Sequence, residues 1–249
     1  MGIPMSIDVR DEGDTAPAVR AAFDLMHEAD RRFSTYRADS EVAAVNRGDL
    51  QADEFSADMR EVLAIADHLE RESGGAFTAR IPGRPLDLNG VVKGWAAQGA
   101  RSLLVERGLR DFCINAGGDV VVRGVPTGHA RWNVGIRSPW DASTHLAVLG
   151  ITDGAIATSG HYERGNHIVD GRNGGVPTEF ASVTVGAQSL TTADALATAV
   201  FVLGRDGLAW GLENGADFIL AFAPDGTPSS AGPVPFAAAE QGRRDQRPY

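Results

Sequence analysis

Two oxygen-bearing side chains, one helical turn apart, interrupt an otherwise apolar stretch. Residues 190–204 read Leu-Thr-Thr-Ala-Asp-Ala-Leu-Ala-Thr-Ala-Val-Phe-Val-Leu-Gly, and a spacing of four puts Asp194 and Thr198 on the same helical face. A carboxylate and a hydroxyl placed in this way can hold a hard cation such as Mg²⁺. A plainer reading also fits. Thr191 and Asp194 match the Thr-x-x-acid capping pattern, and a mid-helix Thr can bond back to the preceding turn. For the segment alone the capping reading is the more economical, because short motifs recur by chance.

Four further clusters carry chemistry. In Phe33-Ser34-Thr35-Tyr36-Arg37-Ala38-Asp39-Ser40-Glu41 a helix ends in a polar loop that displays one aromatic ring, and Ser40 is placed to cap the next helix. Tyr36 reads there as a half-buried packing residue or as a ring that stacks on a ligand. Asp87-Leu88-Asn89-Gly90-Val91-Val92-Lys93-Gly94-Trp95 is a loop running into a helix. Such a start offers free N–H groups to a phosphate, with Lys93 as an added charge, and an Asp cap beside a solvated Lys is the competing reading. Asn115-Ala116-Gly117-Gly118-Asp119 joins two strand-like runs, where paired glycines serve a tight turn or the close approach of backbone to a ligand. The fourth cluster is Ala157-Thr158-Ser159-Gly160-His161-Tyr162-Glu163-Arg164, followed by His167-Ile168-Val169-Asp170-Gly171-Arg172-Asn173-Gly174-Gly175. It reads as a strand ending in a hydroxyl-rich turn, then a short strand presenting His167 and Asp170, with His167 a candidate general base. His161, Glu163 and His167 lack the spacing of a helical His-Glu-x-x-His zinc site.

The elements that must position these groups follow from periodicity. A strand near 4–10 precedes an amphipathic helix near 16–33, and a second helix starts at a Ser56 cap and stops at Gly74-Gly75. A third helix runs near 90–107. Short β-rich runs follow at 112–115, 120–123, 132–136, 146–151, 155–158 and 182–185, then the helix at 190–203 and a strand near 217–222. This predicts an α+β fold: a single interwoven unit of mixed β-sheet packed with helices over residues 1–236, with a polar tail at 237–249 expected to be disordered. With 249 residues and a 43% hydrophobic share the chain can bury a large core, while a net charge of -10 argues against nucleic-acid partners. One cysteine, Cys113, excludes an internal disulfide, and its apolar neighbours suggest packing. With no export signal and no stretch apolar enough to span a bilayer, a cytoplasmic location is the expectation, a trimmed signal aside.

The order of the motifs is more telling than any one of them. Met-Gly at the start, Phe-Ser-x-Tyr-x-x-x-Ser-Glu, Ser-Gly-Gly-Ala-Phe, Asp-Leu-x-Gly-x-x-Lys-Gly, Asn-Ala-Gly-Gly-Asp, Thr-Ser-Gly, His-Ile-x-Asp and Ala-Asp-Ala-Leu-Ala-Thr follow one another over roughly residues 1–204. In that order they resemble the FAD:protein FMN transferase (ApbE-like) family. Three details depart from the family pattern: Thr78 stands where Asp is usual after Ala-Phe, Gly171-Arg172-Asn173-Gly174 replaces the commoner Pro-Arg-Thr-Gly, and the Met-Gly motif begins at residue 1.

The resemblance implies a metal-dependent enzyme that splits FAD, moves FMN onto a Ser or Thr hydroxyl of an acceptor flavoprotein, and releases AMP. It assigns Asp194 and Thr198 as side-chain ligands of Mg²⁺ or Mn²⁺, with backbone carbonyls near Gly90 and Ala197 completing the site. His167 would accept the proton of the incoming hydroxyl, and Asp170 would orient it or support its loop. Tyr36 and Ala76-Phe77-Thr78 would contact the rings, Asp87 a polar group of the nucleotide and Lys93 the phosphates, with Met1 and Val169 as apolar walls. A short Asp-Gly-x-Ser/Thr-type motif is expected on the acceptor. An FAD pyrophosphatase giving FMN and AMP, or a non-catalytic flavin-binding protein, would use the same pocket. A Gly-x-Gly-x-x-Gly or Walker loop is absent, which removes the nicotinamide and P-loop alternatives. Tyr36→Ala should weaken FAD binding measured by calorimetry; unchanged affinity would return Tyr36 to packing.

Overall fold

The computed structural model describes residues 2–162, 165 and 167–237, so Met1 and residues 238–249 of the expected tail lie outside the described residues. Strand β1 (Met5–Val9) leads into helix α1 (Ala16–Phe33), where Ala18, Ala22, Met26, Ala29 and Phe33 recur at three- and four-residue steps and are buried. Ser40 and Ser56 cap α2 (Glu41–Arg47) and α3 (Ala57–Glu72), each hydroxyl accepting the N–H three residues on. Helix α4 (Asn89–Glu106) follows the loop that begins at Gly74.

Strands β2 (Phe112–Ala116), β3 (Asp119–Arg123), β6 (Gly154–Ser159), β7 (Ser182–Ala187), β8 (Phe218–Phe222) and β9 (Pro228–Ala231) join β1 in a seven-stranded sheet ordered β1-β2-β3-β6-β7-β8-β9. Strands β4 (Trp132–Arg137) and β5 (His145–Ile151) pair separately. Among the described residues every pairing is antiparallel, so the expected α+β class is met without the crossovers a mixed sheet would need. The period of two sorts β3 between two cores: Val121 joins the large helix-covered core, while Val120 and Val122 pack with Trp132 of β4. Ile156 of β6 and Phe218 of β8 likewise meet Ile136 and Leu149 of the hairpin.

Helix α5 (Leu190–Leu203) lies against α4 and the inner face of β6 and β7. It is buried almost all round, which its uniformly apolar composition requires. Ser189, not Thr191, caps it: the Ser189 hydroxyl accepts the Thr192 N–H at 3.1 Å. The capping reading of Thr191 and Asp194 therefore fails, because the helix begins two residues too early for it and a serine is already in place. Residues 167–170 form no strand: the His167 N–H donates to the Gly165 carbonyl and the Gly174 N–H to the Asp170 carbonyl at 2.7 Å, while the Gly171 N–H donates to the Ala76 carbonyl at 3.0 Å. The helix α6 (Asp206–Glu213) and β9 were not foreseen: α6 is one short amphipathic stretch between turns, and β9 holds a proline and two serines that have little strand character.

Small residues let α4 and α5 approach closely. A Cβ on Gly94 would lie 2.5 Å from the Leu190 carbonyl oxygen and 2.8 Å from Asp194 Cβ. The Gln98 side chain accepts the Leu190 N–H at 3.0 Å one turn further along. No helix of the described residues is long and apolar enough to cross a membrane. Gly94→Ala should cost about 1–3 kcal/mol, the usual penalty for overpacking, read as a lower urea midpoint at unchanged slope.

Candidate functional site

A cleft of about 380 Å³ opens where the start of α4, the middle of α5, the end of β6, the 76–90 segment and the 167–169 loop converge. Its floor is an ionic cluster. The Lys93 ammonium, one turn into α4, stands 2.5 Å from Asp119 Oδ2 and 3.1 Å from Asp194 Oδ1. Both carboxylates are buried and each is also held by backbone: Thr158 N–H donates to Asp119 at 3.0 Å, and Gly94 N–H to Asp194 at 2.9 Å. Beside them Ser159 Oγ lies 3.2 Å from Thr198 Oγ1, and Thr198 also reaches back to the Asp194 carbonyl at 3.4 Å.

Burial pushes the Asp194 carboxyl well above the usual carboxylate range; Lys93 acts against that shift and the Asp119 carboxylate adds to it. Burial alone would lower the Lys93 ammonium, but Asp194 and Asp119 more than offset it, so it is held above the ordinary lysine value. The two shifts pull opposite ways on one pair. Geometry decides for a charged Lys93, which has two carboxylates in contact and a quarter of its side chain open to solvent. With both carboxylates ionised, as cation binding requires, one ammonium between them leaves the cluster one negative charge in excess. Together with the adjacent hydroxyls, that excess is a donor set suited to a hard divalent cation completed by ligand oxygens.

His167 also lines the cleft, and its Nδ1 is 2.9 Å from the Gly165 carbonyl oxygen. A carbonyl only accepts, so Nδ1 carries the proton of that contact, and in the neutral ring the lone pair is then on Nε2. Asp170 directs its carboxylate to Arg172 and Asn173, with Arg172 Nη2 at 2.7 Å, Arg172 Nε at 2.9 Å and Asn173 Nδ2 at 3.3 Å. The Arg172 hydrogen bonds hold this carboxyl below its ordinary range. These contacts tie Asp170 to residues of its own loop.

Other expected site residues are placed as follows. Ala76, Phe77, Thr78, Asp87, Gly90 and Val169 line the cleft. Phe77 packs against Gly90, where a Cβ would come within 3.0 Å of its ring. Thr78 donates to Glu70 at 2.7 Å and accepts the Arg80 N–H, so its hydroxyl is already engaged. Asp87 accepts the Asn89 N–H at 2.9 Å at the mouth of α4. Ala197 is fully buried on α5. Tyr36 is 89% exposed, which rules out the half-buried packing role; its neighbour Thr35 lines the cleft. Cys113 is half-buried in β2, and burial pushes its thiol up to about 12, so it is unreactive. Asp119 and Ser159 lie within the sequence motifs without being marked by them as site residues. The signal for Asp119 was available: a carboxylate opening a strand directly after two glycines, on the same strand face as buried Val121.

The profile of the ApbE family matches residues 1–84 and 78–220 of this sequence. The chain belongs to the ApbE family. Among its relatives, the FAD:protein FMN transferase of Vibrio cholerae is 29% identical over 170 residues, covering 64% of this chain and 51% of that protein. The Treponema pallidum enzyme of the same name is 36% identical over 142 residues, covering 50% and 39%. The chain thus spans about half the length, or less, of these two relatives. Two solved structures share its fold: the flavin transferase ApbE from Vibrio cholerae, with a TM-score of 0.78 at 23% identity over 93% of this chain and 94% of that one, and the ApbE protein of Thermotoga maritima, with a TM-score of 0.77 at 23% identity over 90% and 91%.

In this ApbE-family chain the three-charge cluster makes an asymmetric prediction. Lys93→Met strands two buried carboxylates and should cost about 3 kcal/mol in metal-free buffer. Asp194→Asn leaves a balanced Lys93–Asp119 pair and should cost far less. Paired urea titrations without divalent cations check this; equal losses would mean that the cluster does not carry its net charge as described.

Proposed function

We propose that this chain is an FAD:protein FMN transferase that uses Mg²⁺ or Mn²⁺ to move FMN from FAD to a Ser or Thr hydroxyl of an acceptor flavoprotein, with AMP as the second product. The observation that carries the reading is that one cleft holds both a buried Lys93–Asp119–Asp194 cluster beside the Thr198 hydroxyl and a histidine whose Nδ1 is engaged by a carbonyl, which directs Nε2 to proton transfer in the neutral ring. The names of the relatives support the same reaction.

In this reading Asp194 and Thr198 hold the cation through their side chains, and the carbonyls of Gly90 and Ala197 hold it through the backbone. The cation supplies neutralisation of charge on the diphosphate oxygens. Lys93 keeps Asp194 and Asp119 fixed and faces the phosphates. Asp87 binds a polar group of the nucleotide, and Ala76, Phe77, Thr78 and Val169 flank the rings with Tyr36 at the rim and Met1 as a further apolar contact. His167 Nε2 takes the proton of the acceptor hydroxyl as its oxygen bonds to the FMN phosphorus, and the bond from that phosphorus to the bridging oxygen breaks, releasing AMP. Asp170 and Arg172 hold the loop that presents His167.

Incubating the chain with FAD, Mg²⁺ and an acceptor domain bearing an Asp-Gly-x-Ser/Thr motif should give covalent in-gel fluorescence and a mass increase of one FMN. Asp194→Asn and His167→Ala should each lower the rate at least 100-fold, within the usual range for loss of a general base or metal ligand. FMN and AMP in solution without a labelled acceptor would mean a pyrophosphatase, and FAD surviving intact with Mg²⁺ would mean a binding protein.

A further inference from the structure

The loop that presents His167 leaves β6 at Gly160 and comes back through Pro177, and a second histidine joins its two arms. His161 Nδ1 lies 3.2 Å from the Gly165 carbonyl oxygen, and Nε2 lies 3.1 Å from the Pro177 carbonyl oxygen. The Gly165 oxygen is the one that meets His167 Nδ1. One carbonyl therefore faces both imidazoles.

The same ring also touches the helix that carries Asp194. It stands edge-on to Phe201, with centroids 4.9 Å apart at 85°, and edge-on to His167 at 6.4 Å and 89°. Phe201 is fully buried and follows Asp194 and Thr198 at the i, i+4, i+7 spacing of one helical face. Gly160 fixes the direction in which His161 leaves the sheet, since a Cβ there would come within 2.7 Å of the Ala181 carbonyl oxygen. A phenyl ring would fill this place equally well. A carbonyl only accepts, so the single N–H of a neutral imidazole serves one of these two oxygens at a time, and a phenyl ring serves neither.

We propose that His161 is a positioning residue, which, by donating its ring N–H to the Gly165 or the Pro177 carbonyl while resting on Phe201, sets where His167 stands relative to Asp194 and Thr198. This rests on the reading of His167 as the base. A displacement of the order of an ångström at a reacting group costs up to about 100-fold in rate, so the effect belongs in kcat rather than in flavin binding.

A double-mutant cycle tests it. His161→Phe should lower kcat for FMN transfer about 10- to 100-fold at saturating acceptor, with FAD affinity by calorimetry within about twofold of wild type. In a His167→Ala background the same substitution should change the rate by less than about twofold, because no base remains to be positioned. Full activity of His161→Phe, or a loss that multiplies with that of His167→Ala, overturns the proposal. If His161→Phe does not fold, His161→Gln, which keeps one donor, is read in the same cycle. His167→Ala at wild-type rate would instead remove the base reading itself.

Discussion

The close approach of α4 and α5 at Gly94 governs the rest of the site. Only a glycine allows the α4 backbone to come so near Leu190 and Asp194, and that proximity is what lets the Gly94 N–H donate to the Asp194 carboxylate. The next residue back, Lys93, then lies within reach of Asp194 on α5 and Asp119 on β3. Three elements are thus tied at one point by one N–H and one ammonium. Without that point a carboxylate this deeply buried would have no compensation for its lost hydration.

The cluster also reconciles two demands that conflict in most cores. A buried ion pair is poor value for stability when it is balanced, because desolvation cancels the attraction. Here the balance is incomplete, and the surplus charge faces the cleft rather than the packed interior. The apolar remainder of α5, including Ala199, Val200 and Phe201, stays wholly buried and keeps the helix in place whatever happens at its polar stripe.

Much of this was legible in the sequence because it was local. Ser40 and Ser56 announce their helices, the period of α1 and α3 gives their buried faces, and Asp194 and Thr198 share a face by spacing alone. What was not legible depends on distant partners. The capping pattern at Thr191 is a true local match that lost to Ser189 two residues earlier. Lys93 read as a free phosphate ligand because nothing near it in sequence is acidic enough to claim it, apart from Asp87, and its partners sit 26 and 101 residues away. Asp119 is hidden in the sequence for the same reason: its partner Lys93 lies on another element. The stretch at 167–170 holds the β-branched pair Ile168 and Val169, as a strand would, yet glycines on both sides let it curl into turns.

The hydrogen bond from Gly94 to Asp194 closes a loop of 100 residues, and this bears on how the protein comes into being. Contacts of such long range are slow to form, since the chain must give up the entropy of the whole intervening loop before they return anything. No fragment ending before α5 contains both halves of the anionic cluster, so a growing chain has no site until the helix at 190–203 has docked. Ligands that need the cluster accordingly bind only the completed fold, and by mass action they should stabilise the molecule as a whole rather than any one part of it.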